Sequence, residues 1–209
     1  MKKKILAVSL VVSLVAVAAL GVTLAYFTDT STVANTFTLG NIDITLEEIV
    51  GYDAQEQPIV KTDAYEYPSI VPGDVLHKEP YVKNVGSNDA YVFMKVTLSD
   101  AAALDDLLPD LATQNVINFN TTNWNFISNN VDGSNRVIWI GYKTILAPDA
   151  TTIAPFSTIT IPTEWDSDDM ESLGEDFSLT VNAYAIQADN IADAAAAYTA
   201  LQAEITPAP

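Results

Sequence analysis

Apolar and polar side chains alternate through residues 177–187, and this pattern limits the possible fold more than any other feature of the chain. Leu179, Val181 and Ala183 are separated by single polar residues. Successive side chains of an extended strand point to opposite faces, so the alternation predicts a strand with one buried face. Related patterns, which make the sequence strand-rich, occur in residues 41–46, 81–85, 91–98 and 136–142.

Turn residues separate these segments. Residues 71–74 place Pro and Gly at the central positions of a turn, where fixed and positive φ angles are needed. Residues 86–89 form a second turn, and we expect the flanking strands 81–85 and 91–98 to pair with each other in antiparallel fashion.

The remaining segments are less regular. Residues 113–136 are predicted to form an irregular, hairpin-like excursion, residues 152–165 a strand broken by prolines, and residues 166–176 an acidic loop. Two short helices are predicted at residues 101–108 and 191–204, the second capped by Asp189 or Asn190. About seven or eight strands with no internal repeat favour an all-β fold. We predict a single antiparallel jelly-roll-type sandwich with a few short helices over residues 26–209.

The chain has no cysteine. A disulfide framework, a thiol nucleophile, a thiolate zinc site and a lipid-modified cysteine are therefore excluded. A domain of this length can bury enough apolar surface to be stable without such cross-links.

The first 25 residues have the order of an export signal. Three lysines precede an apolar run at residues 5–20, and Thr23 and Ala25 are small residues at −3 and −1 of a cut before Tyr26. A retained membrane helix is the alternative, because the run approaches the ~20 residues that span a bilayer. We predict cleavage, secretion to the cell surface or extracellular matrix, and a mature form that does not span the membrane.

The mature chain is strongly acidic. Removing residues 1–25 takes away three lysines and no acids, which leaves six basic and 27 acidic residues and a net charge of −21. Such a surface repels nucleic acid and anionic lipid, so neither is an expected partner.

Residues 26–39 begin at the predicted cut and are rich in threonine. Their β-branched content and partial alternation predict an extended segment. On this pattern alone, the segment is the first strand of its own domain.

Three motifs resemble a known family. Residues 24–29 and 36–44 are similar to the mature N-terminus of TasA, camelysin and CalY proteins, residues 72–74 with 82–87 to its "PGD…N.G" segment, and residues 183–190 to its C-terminal "A.AIQAD" strand. The resemblance covers both ends and the centre of the chain, whereas residues 100–170 carry no family motif.

The resemblance implies a jelly-roll subunit of biofilm matrix fibres, exported through a dedicated SipW-type signal peptidase, with accessory matrix proteins as further partners. Residues 26–39 would then be a donor strand that adds to the sheet of a neighbouring copy and so builds a homo-oligomeric filament. Phe27, Val33 and Phe37 would be its anchors. A donated strand pairs with open backbone groups at a sheet edge and places alternate side chains in its groove.

The camelysin name carries a metallopeptidase label. A catalytic zinc site commonly uses three protein ligands, yet this chain has one histidine, His77, and no H-E-x-x-H motif. Asp74 and Glu79 are its acidic neighbours in sequence. We therefore expect no enzyme activity, with a secreted metal-dependent peptidase and a monomeric surface-binding module that uses Trp124, Trp139 or Trp165 as the alternatives.

An acidic run offers oxygen ligands of the kind that calcium prefers. It departs from the EF-hand pattern, because Met170 stands where an oxygen ligand is expected. A solvated acidic face is the competing interpretation, and calcium is the one cofactor that the sequence suggests. The candidate ligands are Asp166, Asp168, Asp169 and Glu171.

Overall fold

The computed structural model describes residues 28–32, 35–37, 42–67, 70–100, 116–172 and 178–205. The predicted cut at Thr23, Ala25 and Tyr26, the anchors Phe27 and Val33, and the helix predicted at 101–108 lie outside these residues. The strands are β1 Thr28–Thr32, β2 Asn35–Phe37, β3 Ile44–Tyr52, β4 Pro58–Lys61, β5 Val75–His77, β6 Glu79–Asn84, β7 Ala90–Leu98, β8 Trp124–Asp132, β9 Asn135–Tyr142, β10 Thr158–Thr160 and β11 Leu179–Gln187. The helices are α1 Ser167–Ser172 and α2 Ala194–Ile205.

The strands form three antiparallel sheets. The largest has the order β2-β1-β11-β7-β9-β8, and the others have the orders β4-β3-β6 and β10-β5. The predicted all-β antiparallel sandwich is confirmed. In the part of the chain that the structure describes, no helix is long and apolar enough to cross a membrane.

The main core lies between the six-stranded and three-stranded sheets. Ile44 and Val82 come from the smaller sheet, and Met94, Ile140 and Ala185 from the larger, and each is at most 1% exposed. In β3 and β6, buried positions alternate with partly exposed ones, which is the pattern of a sheet with one covered face. Each large apolar side chain buried in this way contributes about 1.5–3 kcal/mol.

Helix α2 covers the other face of the large sheet. Ala197 and Leu201 are fully buried and pack in a second cluster with Phe93, Val137 and Trp139. The cap predicted at Asp189 or Asn190 is wrong, because the side chain of Asp193 accepts a hydrogen bond from the Ala196 amide at 2.8 Å. Asp193 thus satisfies one of the free amides of the first turn, and the helix begins at the next residue, Ala194.

Strands β6 and β7 do not pair with each other, so the expected hairpin is wrong. Strand β6 pairs with β3, whereas β7 lies between β11 and β9 in the other sheet. The crossing is held by buried Asn84, whose Nδ2 donates to the carbonyls of Asn88 (2.8 Å) and Leu146 (3.0 Å). Its Oδ1 accepts from the Gly86 amide. Residues 85–89 are therefore an arch between sheets.

Three further segments differ from expectation. The hairpin-like region does form a hairpin, but a more regular one than expected, because the nine-residue strand β8 pairs with β9. The proline-broken segment 152–165 keeps only the three residues of β10, and the acidic loop contains α1. Strand β8 was missed because only Trp124 is buried in it, so its sequence lacks the alternation of a covered strand.

Candidate functional site

The segment behind the predicted cut lies at one edge of the large sheet. Strand β1 pairs antiparallel with β11, from Thr28 opposite Ile186 to Thr32 opposite Asn182. Strand β2 then runs back along the outer side of β1, with Phe37 opposite Thr30. The single extended segment expected from the sequence is thus divided into two short strands, and Phe37 lies on the outermost one.

Strand β11 is anchored on its other side. All nine of its residues pair with β7, and Ala183 and Ala185 are fully buried in the main core. Strand β1 covers only residues 182–186 of its outer side. Without β1, those backbone groups would be an open edge that can bind another strand. This edge and the segment that covers it are the candidate assembly site.

Non-local pairing of this kind leaves little trace in the sequence. The alternation of residues 177–187 indicated a strand but not its partners.

The surroundings of His77 do not fit a catalytic zinc site. Its Nε2 lies 3.2 Å from Glu79 Oε2, and its ring packs edge-on against Tyr52 with 5.2 Å between the centroids. Asp74 instead accepts the Val71 amide at 2.9 Å in the preceding turn. Among the described residues, no three His, Cys, Asp or Glu side chains are grouped to hold a metal ion.

A buried ion pair near this end of the sandwich was not found from the sequence. Lys78 Nζ lies 2.6 Å from Glu48 Oε2. The Tyr67 hydroxyl donates to the His77 carbonyl, and burial, followed by the negative charge of Glu48, raises the pKa of Tyr67 well above its usual range. On the outer face of the same sheet, burial and a hydrogen bond to Glu47 raise the pKa of Tyr81 to about 12.

The four acidic candidates for calcium lie at or before α1. Asp166 Oδ1 accepts the amides of Asp168 (2.9 Å) and Asp169 (3.1 Å), and Asp169 Oδ2 accepts the Asp166 amide at 3.1 Å. This reciprocal pattern caps the helix. Glu171 is exposed on α1. Two of the carboxylates thus have a structural role, and calcium binding stays a prediction.

The tryptophans are packed inside the protein rather than arranged on an open surface. Trp124 donates from Nε1 to the Ile153 carbonyl at 2.8 Å, Trp139 packs against Tyr184 and Tyr198, and Trp165 belongs to the main core. A ring that binds sugar by stacking needs a free face. The surface-binding alternative therefore gains no support from them.

Comparison with known proteins gives one finding. A protein-family model described as camelysin metallo-endopeptidase matches residues 1–176. No curated protein and no solved structure matches the chain significantly.

Proposed function

The chain belongs to the camelysin family, and from that premise we propose that it is a secreted structural subunit that assembles into extracellular fibres by exchanging its N-terminal strand. The observation that carries the proposal is the pairing of β1 with β11. Removal of the signal would free the N-terminal end of the same segment that covers the outer side of β11.

Exchange replaces one set of backbone pairs by an identical set. Strand β1 of one copy would leave its own β11 and bind residues 182–186 of the next copy. The bonds lost and gained are the same, which is why swapping an element between copies has a low energetic cost. Because each copy gives a strand to one neighbour and receives one from another, the contact does not close, and a filament results.

A straight donor strand would also gain contacts that the folded-back segment lacks. In the register of Thr32 opposite Asn182, continuing straight would place Val33 opposite Val181 and residue 35 opposite Leu179. Val181 is 4% exposed and faces the main core. The straight strand would exchange the three β1–β2 pairs for three further pairs with β11, and so would cover the edge of β11 from residue 179 to residue 186.

The signal cut would then act as a switch. Only Tyr26 and Phe27 separate the predicted cut from Thr28, the first residue of β1. While residues 1–25 hold the chain at the membrane, β1 has little freedom to reach a neighbour. An uncleavable Ala25 variant that still forms fibres would contradict this role.

The family name keeps a metal-dependent peptidase as the second candidate. His77 Nε2 and Glu79 Oε2 lie 3.2 Å apart, but Asp74 accepts the Val71 amide instead, so among the described residues these three side chains do not converge as metal ligands. Metal-dependent casein hydrolysis that disappears in His77→Ala would favour the peptidase, and activity unchanged in that variant would remove His77 from any mechanism.

The direct test is electron microscopy of purified mature protein with and without residues 26–39. We expect filaments from the intact chain and soluble monomers from the truncated one. A synthetic peptide of residues 26–39 should bind the truncated protein and raise its Tm, whereas a scrambled peptide should not. Filaments from the truncated protein would refute strand exchange.

A further inference from the structure

Strand β8 forms the other outer edge of the large sheet. It pairs with β9 through a two-residue turn and has no strand on its outer side among the described residues. A strand of nine residues is long for an edge position. Natural edge strands are often short, because their unpaired N–H and C=O groups can pair with another chain.

This edge carries little of the protection that natural edge strands use. Its first eight residues include no charged residue and no proline, and the one irregularity is a bulge between Phe126 and Ser128. Phe126 is 43% exposed and Val131 is 56% exposed. Lysines, inward charges or prolines are the usual means of blocking such an edge.

The distribution of charge around β8 indicates what binds along its outer edge. The whole chain has a net charge of −18, yet the only charged residues of β7, β8 and β9 are Lys95, Asp132 and Arg136. Two copies of so acidic a protein repel each other over most of their surfaces. At this part of the sheet two copies can approach with little of that repulsion.

We propose that β8 pairs antiparallel with β8 of a second copy of this chain about a two-fold axis. A two-fold contact uses the same patch on both partners, so an uncharged strand meets an equally uncharged strand. With the axis at Ser128, the two Asp132 carboxylates lie at opposite ends, about 27 Å apart along the strands. Each Asp132 then approaches the end of the partner strand beside which Lys143 lies.

The contact differs in kind from the proposed fibre contact and does not depend on it. Strand exchange is head-to-tail and continues, whereas β8 pairing closes after two copies. A single pair of edge strands buries a small area, so the dimer is weak. If the copies stand in filaments, many such contacts act together and would join two filaments side by side.

The absence of cysteine makes a direct distance measurement possible. Asn130→Cys in the intact mature chain provides a single site for a spin label. If two β8 strands pair, the backbones at the two labelled positions lie roughly 15 Å apart. A label on Ser87→Cys, in the arch, should give no distance in that range. The absence of the Asn130 signal at about 1 mM protein would overturn the proposal.

A charge variant gives the second test. Asn129→Lys should weaken β8 pairing about tenfold or more, because with the axis at Ser128 it sets two lysines only about 8 Å apart. Val71→Lys is the matched control, since Val71 is 54% exposed but lies in a turn away from this sheet. Equal association of both variants would overturn the proposal.

A competing occupant is distinguished by mixing. Copies labelled at Asn130 are combined with copies labelled at Asn35. A short distance found only between Asn130 and Asn35 would assign the edge to an N-terminal strand and would overturn two-fold pairing. Loss of filaments with the Asn130 distance retained would refute the fibre but support this contact.

Discussion

Lys78 Nζ lies 2.6 Å from Glu48 Oε2, and each side chain is only 11% exposed. The pair joins β3 to the residue just before β6. The other carboxylate oxygen, Oε1, has no hydrogen-bond partner among the described atoms, so Lys78 is the main compensation for the buried charge of Glu48.

Replacing Lys78 by methionine should lower the free energy of unfolding by about 3 kcal/mol, because it leaves Glu48 buried without its counter-charge. The double variant Lys78→Met with Glu48→Leu should recover most of the loss. Urea denaturation measures both, and Lys143→Met, at an exposed lysine, is the control. A single variant as stable as the unsubstituted protein would contradict the assigned role.

Tyr81 should make the protein sensitive to alkali. Its pKa is raised from 10.0 to about 12, so the folded state keeps the phenol proton that the unfolded chain loses near pH 10. The contribution of this group is therefore fully present below pH 10 and is lost as the pH rises through 12. The urea midpoint of Tyr81→Phe should fall less steeply over this window, and an unchanged profile would refute the prediction.

Asp193 should cap α2. Asp193→Ala removes the hydrogen bond to the Ala196 amide and should cost about 1 kcal/mol. Asp189→Ala is the control, because the hydrogen bond that this side chain accepts comes from Gln187 Nε2 and not from an amide of α2. Equal losses in the two variants, measured by thermal denaturation, would show that the cap is placed elsewhere.

Asn84 should be essential to the arch between the sheets. Asn84→Ala removes three hydrogen bonds, but the Leu146 carbonyl keeps the Ala90 amide and the Gly86 amide keeps the Asp43 carbonyl, so we expect a loss of about 2 kcal/mol. Asn88→Ala, in the same arch but acting through its backbone carbonyl, should cost much less. Urea denaturation of the two variants measures the difference, and equal losses would contradict the role of the Asn84 side chain.

The sequence predicted the strands whose faces are covered. The alternation at 177–187 is β11, and the segment at 136–142 is β9 almost to the residue. The sequence did not predict which strands pair, because an alternation with a period of two indicates which face of a strand is buried but not which strand lies beside it. For that reason β6 and β7, each correctly found, were wrongly paired.

The same limit applies to the candidate site. A threonine-rich extended segment could be expected behind the predicted cut, but its position opposite Ile186 to Asn182 depends on contacts between residues 150 to 158 positions apart in the sequence. The Lys78–Glu48 pair was missed because charged residues are seldom buried, so the sequence favoured exposed positions for both.

Strand β1 covers five of the nine residues of β11 and leaves Leu179 to Val181 without a β1 partner among the described residues. If copies exchange β1 as proposed, an incoming strand would bind first at those three positions. A donor that binds there first can displace β1 pair by pair, so exchange need never expose the whole edge at once. The barrier to adding a subunit would then be set by the first few pairs rather than by the opening of the sheet, much as one nucleic-acid strand displaces another.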